Sequence, residues 1–245
     1  MSIGSTSITW LGHATFLFET PEGRRLLLDP WIEGNPSFPA EWRERLTGNI
    51  DGILVTHGHF DHINDLVAVA QSTGAPVACI MELGIWLTMK GVAESQVLGY
   101  NKGGTVEIGG IRATLTDARH SSGFVEDGQI VYMGTPCGFV LQFSDGCTIY
   151  HTGDTCIHSD MALIGELYRP NVAILPIGDF FTMGPFQAAH ALRLIGAPVA
   201  IPEHYATFPL LHGSPDQLRA ELGKLNLSTE VVALRPGESW AYGGR

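Results

Sequence analysis

The chain has 245 residues and a formal net charge of −11 at pH 7. Hydrophobic residues make up 44% and charged residues 16%, which is a globular composition and excludes an intrinsically disordered protein. The acidic balance argues against a nucleic-acid surface, because such surfaces usually carry basic patches, so we expect no nucleic-acid partner.

The cysteines and the N-terminal residues favour a cytoplasmic protein. Residues 1–10 lack the basic and apolar regions of a signal peptide, and no apolar run reaches the ~18 residues of a membrane span. The cysteines form no C-x-x-C pair and are far apart, so we expect no disulfide framework. They are Cys79, Cys137, Cys147 and Cys156.

The first part of the chain begins with strands and then alternates strands with helices. Residues 31–49 are predicted to form a long loop, whose aromatic residues Trp31, Phe38 and Trp42 are expected to act as a lid over a pocket. The predicted strands lie within residues 7–19, with a break at 11–13, and at 25–30, 53–55 and 77–80. The predicted helices cover 61–73 and 82–90, the second ending at Gly91.

The rest of the chain repeats this order. Residues 103–116 are predicted to form a hairpin and 121–135 a polar loop. Further strands are predicted at 138–143, 147–150, 172–175, 199–201, 230–234 and 239–242, and helices at 159–168, 185–195 and 214–225. Two mixed sheets that face each other, with helices outside, fit this order better than one doubly wound sheet. No linker divides the chain, so we predict one α/β (α+β) domain over residues 1–245.

A dense group of metal-ligand side chains follows the apolar strand at 53–55. It reads His57-x-His59-x-Asp61-His62. Imidazole suits zinc, copper, iron and nickel, and carboxylate also accepts manganese. His57 and His59, two apart on an extended segment, can face one ion, and Asp61 and His62 can face a neighbouring ion. Catalytic zinc sites usually have three protein ligands and an open position, so further ligands are expected elsewhere.

Three more ligand-type residues each follow a predicted strand. They are His120, Asp154 and His204. Because a carboxylate has two oxygens, Asp154 can bridge two ions. The seven residues together predict a two-metal site without thiolate ligands, for which zinc is our first choice and manganese, iron and nickel stay open.

The ligand motif and its spacing resemble the metallo-β-lactamase superfamily. This resemblance implies a four-layer αββα sandwich with a two-metal site at one edge. It implies a first metal on His57, His59, His120 and Asp154. It implies a second metal on Asp61, His62, His204 and Asp154, with Asp154 as the bridge.

Further segments resemble one branch of that superfamily, the bacterial and archaeal metal-dependent hydrolases of uncharacterised substrate. The sugar-phosphate lactonases and the N-acylethanolamine phospholipase D-like proteins share parts of the pattern. The match runs from about residue 8 to 238, through segments 10–16, 28–30, 120–123, 153–155, 175–185 and 202–209.

The resemblance implies a dinuclear hydrolase in which a metal-bridging hydroxide attacks an ester-like bond of a small molecule. We assign catalytic roles to Asp61 and Asp154, and we expect a lactone, phosphodiester or thioester substrate. The alternatives are a di-iron redox or oxygen-handling protein and a metal-binding scaffold without turnover. The sequence leaves the oligomeric state open, a homo-oligomer included.

Five more residues are expected to support the ligands or contact the substrate. Asp29 and Asp179 leave strands near the site and either orient ligating histidines or cap turns. His13 either contacts the substrate or packs at a strand turn, and Tyr205 and Thr207 flank His204. We expect His151 to pack within its strand, and Cys156 to be a reduced thiol near the site.

Overall fold

The structure is a computed structural model that describes residues 5–46 and 48–243. The ends of the predicted domain, residues 1–4 and 244–245, and residue 47 of the predicted lid loop lie outside these ranges. The strands are β1 Ser7–Trp10, β2 Phe16–Glu19, β3 Arg25–Leu28, β4 Gly52–Leu54, β5 Val77–Ile80, β6 Val97–Tyr100, β7 Thr105–Ile108, β8 Ile111–Asp117, β9 Gly123–Glu126, β10 Gln129–Tyr132, β11 Cys137–Gln142, β12 Thr148–His151, β13 Val172–Pro176, β14 Val199–Glu203, β15 Glu230–Val231 and β16 Ser239–Ala241. The α-helices are α1 Trp42–Arg45, α2 Phe60–Ile63, α3 Leu66–Thr73, α4 Met81–Met89, α5 Met161–Tyr168, α6 Pro185–Ile195 and α7 Pro215–Lys224.

Most strands belong to two mixed seven-stranded sheets, as the sequence predicted. The first has the order β16-β1-β2-β3-β4-β5-β6, and the second has the order β15-β14-β13-β12-β11-β8-β7. Each sheet has an antiparallel part and a parallel part. The parallel pairs are β3–β4, β4–β5 and β5–β6 in the first sheet, and β12–β13, β13–β14 and β14–β15 in the second.

The side chains of the second sheet separate two hydrophobic layers. On β13, Val172 and Ile174 belong to the core that also contains the first sheet, whereas Ala173 and Leu175 belong to the core under α5, α6 and α7. This alternation is the period of two that a strand buried on both faces requires. Helices α3 and α4 pack on the first sheet, so the layers follow the order αββα and confirm the predicted fold class.

The predicted polar loop at 121–135 is wrong, because most of it forms the β9–β10 hairpin. Its turn is Asp127-Gly128, and both residues have positive φ, at 50° and 75°. A two-residue turn with two positive φ values favours Asp-Gly, which is a hairpin signal in the sequence. The turn residues therefore override the polar composition of the segment.

The helix and loop near the metal motif also differ from the prediction. The single helix predicted at 61–73 is two helices, α2 and α3, and the loop at 31–49 contains α1. Phe38 and Trp42 are buried in the hydrophobic core, and Trp31 is buried against His13 and Phe60, so these three aromatics do not form a lid. Strand β6 was missed, and the strand predicted at 230–234 is only β15.

No helix in the described residues combines the length and the apolar character needed to cross a membrane.

Candidate metal centre

The seven predicted ligands come together at one edge of the sandwich. His57, His59, Asp61 and His62 follow β4, and the other three follow three strands of the second sheet. His120 lies beyond β8, Asp154 beyond β12 and His204 beyond β14. Because β12 and β14 run parallel on either side of β13, their carboxyl ends bring Asp154 and His204 to the same place.

One group consists of three histidine nitrogens. His57 Nε2 lies 2.9 Å from His59 Nδ1, and His120 Nε2 lies 3.2 Å from the same atom. Burial, reinforced by the neighbouring imidazoles, lowers the pKa of all three rings, and that of His59 falls to about 4. The rings are therefore neutral at neutral pH and can offer lone pairs. Ligand atoms at 2.0–2.1 Å from a tetrahedral zinc ion are roughly 3.3 Å apart, which is close to this spacing.

A second group consists of Asp61, His62 and His204, together with His13. Potential ligand atoms of these four side chains all lie within 4.8 Å of one another. His204 Nε2 is 3.8 Å from Asp61 Oδ2, and His13 Nε2 is 3.0 Å from that oxygen. The arrangement offers one carboxylate oxygen and imidazole nitrogens to a single ion.

Asp154 lies between the two groups and is 2% exposed. Its Oδ2 atom is 3.1 Å from His204 Nε2, 3.4 Å from His62 Nε2, 3.6 Å from His120 Nε2 and 3.9 Å from His57 Nε2. Burial raises the pKa of this carboxyl, but the His204 and His62 rings outweigh burial and lower it well below its usual value. Its Oδ1 atom has no hydrogen-bond partner in the described part of the chain.

Asp29 lies beneath both groups and contacts them through hydrogen bonds. Its Oδ2 atom lies 2.8 Å from His62 Nδ1 and accepts from Thr56 Oγ1 at 2.6 Å. Its Oδ1 atom accepts from the Thr56 N–H at 2.8 Å. Since Thr56 Oγ1 donates to Asp29, it accepts from His57 Nδ1, 3.0 Å away. Asp29 thus fixes His62 directly and His57 through Thr56, and both Nε2 atoms face the centre.

The environment of His62 shows that the centre suits a cation. Burial would lower the pKa of this ring, but the Asp154 and Asp29 carboxylates raise it well above its usual value. Its buried Nε2 atom has no hydrogen-bond partner among the described residues and faces Asp154 Oδ2. A positive charge is favoured between these two atoms, and a divalent ion can supply it in place of a proton. The donor set of imidazoles and carboxylates fits zinc, manganese, iron or nickel.

His13 contacts both Asp61 and the segment after His204. Burial and the nearby His204 ring lower the pKa of His13 to about 4, so this ring is neutral at pH 7. A neutral ring that faces a carboxylate at Nε2 donates there, and its Nδ1 accepts from Thr207 Oγ1, 2.9 Å away. His13 and Thr207 together orient the Asp61 carboxylate.

Three residues of this region have the left-handed backbone conformation without being glycine. The φ angles are 55° at His13, 47° at Asp29 and 54° at His204. Such residues cost about 1–3 kcal/mol each and occur where the surrounding structure determines them, often at active sites. His and Asp are among the side chains that tolerate this region best.

Asp179 and Tyr205 lie apart from the ligand contacts. Asp179 is exposed, and its Oδ1 atom accepts from the Phe180 N–H at 2.9 Å, which is a turn-capping contact. The Tyr205 ring stacks on Trp10, and its hydroxyl donates to the Leu234 carbonyl at 3.5 Å. Cys156 is an exposed free thiol, and Cys79, Cys137 and Cys147 are buried and free.

Sequence reasoning missed two sets of residues at the centre. His151 and Glu203 meet beneath it, both with 0% side-chain exposure. The other set consists of apolar residues that line a cavity of about 680 Å³ above the ligands. We call Phe60, Phe181, Phe208, Pro209 and Leu210 the apolar wall of this cavity. The adjacent aromatics Phe180-Phe181 in a loop were the one available signal.

The chain resembles known metal-dependent hydrolases over nearly its whole length. A family model described as a Beta-lactamase superfamily domain matches residues 24–205. A protein of Herpetosiphon aurantiacus named UPF0173 metal-dependent hydrolase is 60% identical over 240 residues, which covers 98% of this chain and 99% of that protein. One of the same name from Chloroflexus aurantiacus is 54% identical over 235 residues, which covers 96% of this chain and 97% of that protein.

One solved structure is similar to this chain in both fold and sequence. It is Igni18, described as a novel metallo hydrolase from the hyperthermophilic archaeon Ignicoccus hospitalis. The TM-score is 0.84 at 34% sequence identity, and the match covers 98% of this chain and 100% of that chain.

Proposed function

Because the chain belongs to the metallo-β-lactamase superfamily and is a metal-dependent hydrolase, we propose that it holds two divalent ions and hydrolyses an ester-like bond of a small molecule. The first ion would be held by His57, His59, His120 and Asp154. The second would be held by Asp61, His62, His204 and Asp154. The candidate bonds are those of lactones, thioesters and phosphodiesters.

Two ions held in this way would supply a hydroxide nucleophile at neutral pH and Lewis-acid stabilisation of the reacting oxygens. The protein residues set the geometry around them. Asp29 holds His62 directly and His57 through Thr56, and the His13 ring holds the Asp61 carboxylate. Asp61 and Asp154 are the carboxylates nearest the reaction, and both line the cavity that would receive the substrate.

The observation that carries the proposal is the position of Asp154. One buried carboxylate oxygen lies 3.1–3.9 Å from four ligand-type nitrogens that belong to the two groups. A structural ion pair would need one such neighbour. Four imidazoles around one oxygen support a bridging ligand between two ions.

The test combines metal content with turnover. The protein is analysed for metal as purified and again after loading with zinc, manganese or nickel, and it is assayed with esters, lactones, thioesters and bis(p-nitrophenyl) phosphate. We expect about two ions per chain and hydrolysis of at least one substrate class. Asp154→Ala is expected to lose metal and activity. The control Asp216→Ala, whose side chain is 92% exposed on α7, is expected to keep both.

Fewer than one ion per chain, with activity unaffected by Asp154→Ala, overturns the proposal. Two ions without turnover of any substrate class point instead to a metal-binding scaffold. Iron as the dominant metal, with visible absorption and no hydrolysis, points to the di-iron alternative.

A further inference from the structure

The cavity above the metal centre has an unusual division of polar and apolar surface. Its floor consists of five predicted ligands, His59, Asp61, His120, Asp154 and His204. Its sides are the apolar wall, and Ser121 is the one other polar lining residue in the described chain. The Ser121 Oγ atom lies 3.2 Å from His59 Nε2, so this hydroxyl already has a partner. The polar contacts that the cavity offers are therefore concentrated on its floor.

None of the described residues that line the cavity is Arg or Lys. Arg119 precedes His120, but its Nε atom lies 3.8 Å from Asp117 Oδ2, and its side chain is 53% exposed. The chain as a whole carries a net charge of −11. Sites that transfer phosphoryl groups commonly neutralise the substrate with Arg or Lys clamps, and an acidic protein repels anionic substrates at long range. Beyond the proposed ions, the cavity therefore offers no Arg or Lys side chain to an anionic group, and it favours a substrate whose chain is uncharged.

Most of the apolar wall is exposed, although apolar side chains are usually buried. The exposed fraction is 52% for Phe60, 49% for Phe181 and 44% for Leu210. Apolar side chains that cluster in the open around a cavity mark a binding surface. Phe208 stacks on Trp31 at 5.8 Å between ring centroids, and Phe60 meets the same indole at 5.7 Å. The buried indole thus holds two of the rings in place.

Phe181 is held by a strained turn. Asp179 and Phe180 both have left-handed backbone conformations, with φ of 66° and 60°. The Asp179 carbonyl accepts from the Phe181 N–H at 2.7 Å, and the Asp179 N–H donates to the Met183 carbonyl at 3.1 Å. Consecutive non-glycine residues in this region are costly and persist where the structure uses the resulting position. Here the position places the Phe181 ring in the cavity lining.

We propose that this cavity binds an uncharged ester, lactone or thioester whose aliphatic or aromatic chain packs on Phe60, Phe181 and Phe208. This inference rests on the proposed hydrolase function and narrows its substrate class, since it excludes phosphodiesters as the preferred substrates. The volume of about 680 Å³ suits a small molecule with a chain of several carbons. In the reaction, the oxygen of one water bonds to the acyl carbon, and the bond to the leaving oxygen or sulfur breaks. One water proton goes to the leaving group, and the carboxylic acid formed releases the other.

The first test is a series of γ-lactones and p-nitrophenyl esters of increasing chain length, assayed with the metal-loaded protein. We expect kcat/KM to rise about fourfold per methylene, equivalent to about 0.8 kcal/mol, until the cavity is filled. A matched pair tests charge: p-nitrophenyl pentanoate against mono-p-nitrophenyl glutarate, which carries a carboxylate at the chain end. We expect the neutral ester to be at least tenfold better. Equal rates for the pair, no dependence on chain length, or a preference for bis(p-nitrophenyl) phosphate overturns the inference.

The second test measures binding without turnover, so that it stays informative if no substrate is hydrolysed. The neutral fluorophore N-phenyl-1-naphthylamine is titrated into metal-loaded and metal-depleted protein. Phe181→Ala and Phe208→Ala are expected to weaken binding at least fivefold and to flatten the chain-length series. The control is Phe186→Ala. Phe186 is an exposed phenylalanine on α6 outside this cavity, and its substitution is expected to change neither probe binding nor the dependence on chain length.

The two tests separate the possible failures. Probe binding that depends on Phe181 and Phe208, without hydrolysis of any substrate, contradicts the proposed ester hydrolysis and supports the apolar binding site. Hydrolysis without such binding contradicts the apolar site and keeps the hydrolase function. Thermal unfolding of each variant verifies that the fold is retained.

Discussion

His151 Nε2 lies 3.2 Å from Glu203 Oε2, and both side chains are completely buried. The two residues end β12 and β14, and β13 lies between these strands. The Gly153 N–H donates to His151 Nδ1 at 3.1 Å, so the proton of the neutral ring is on Nε2 and faces Glu203. The pair therefore connects the turn before Asp154 to the residue before His204.

Removing one partner of this pair is expected to destabilise the protein strongly. Glu203→Leu removes the buried carboxyl that faces His151 Nε2, and a buried polar group left without a partner costs about 1–3 kcal/mol. We expect a loss of about 1–3 kcal/mol in the free energy of unfolding, measured by urea denaturation of the metal-depleted protein. The folded Glu203→Leu variant is also expected to bind less metal than the unmutated protein, because the segments that carry Asp154 and His204 lose their connection.

Two variants serve as controls for this prediction. Glu203→Gln keeps the size of the side chain and an acceptor oxygen. Its free energy of unfolding is expected to fall by less than half as much as that of Glu203→Leu. The double variant His151→Phe/Glu203→Leu removes both polar groups and is expected to recover part of the loss, because apolar replacement of a buried pair is often tolerated. Additive losses in the double variant would show that the pair is not coupled.

The meeting of the seven candidate ligands could be predicted because each has a local signal. His57 to His62 form one compact motif, and His120, Asp154 and His204 each follow a strand. Parallel neighbours β12, β13 and β14 bring strand ends together, so the position after a strand already places a side chain at the edge of the sheet. The two-sheet fold could also be predicted, because the order of strands and helices along the chain is itself a local signal.

The pair of His151 and Glu203 had no such signal. The two residues are far apart in the chain and meet only across β13, so their contact depends on the order of strands in the sheet. The apolar wall brings Phe60, at the start of α2, together with Phe181 and Phe208, which come from two separate loops. The predicted role of Trp42 as a lid was wrong because the number of aromatics in a loop does not tell whether they face solvent or the core.

Asp29 is expected to control metal affinity through its contacts with His62 and Thr56. Asn tolerates the left-handed backbone at this position, so Asp29→Asn keeps the turn and changes mainly the charge and the acceptor. Loss of a hydrogen-bond partner of ligating histidines typically lowers metal affinity 10–100-fold. We expect a loss in this range, measured by competition with a chromophoric chelator.

The matched control is Asp127→Asn. Asp127 also has a positive φ, at 50°, but lies in the β9–β10 turn and belongs to none of the metal-ligand groups of the described chain. The same substitution in the same backbone region is expected to leave metal affinity unchanged. An equal loss in both variants would mean that the effect does not come from the contacts of Asp29.

Asp51 is expected to make stability depend on pH. Its carboxylate accepts from the Arg25 N–H at 2.9 Å and from Arg24 Nη1 at 2.7 Å, just before β4. Burial raises the pKa of this carboxyl, but these two partners outweigh burial and hold the pKa below its usual value. A lowered pKa in the folded state means that the stabilisation is present above the unfolded pKa of about 3.9 and is lost as pH falls through the folded value.

The measurement compares the native protein with Asp51→Asn by urea denaturation between pH 3 and pH 7, without metal. We expect the variant to be less stable by about 1 kcal/mol at pH 7, a modest value because the ion pair is partly exposed. The difference is expected to stay constant down to about pH 5 and to shrink below about pH 4. A difference that grows on acidification would contradict the assigned contacts.

Gly178 is packed against the backbone of His204. A Cβ atom at Gly178 would overlap the His204 carbonyl oxygen and would lie 3.0 Å from Leu211 Cδ2. The segment after β13 therefore fits against the end of β14 only without a side chain. Gly223 in α7 differs, since a Cβ atom there would meet nothing within 4 Å.

Gly178→Ala is expected to move the end of β14 and with it His204. Because overpacking of a dense region costs about 1–3 kcal/mol, we expect the free energy of unfolding to fall by about 2 kcal/mol. We expect weaker binding of the second ion, which depends on His204, with less effect on the first. Gly223→Ala is the control and is expected to raise stability by about 0.5–1 kcal/mol, because alanine favours the helix. Calorimetry and metal titration measure both variants, and equal binding of the two ions in Gly178→Ala would contradict the assignment of His204.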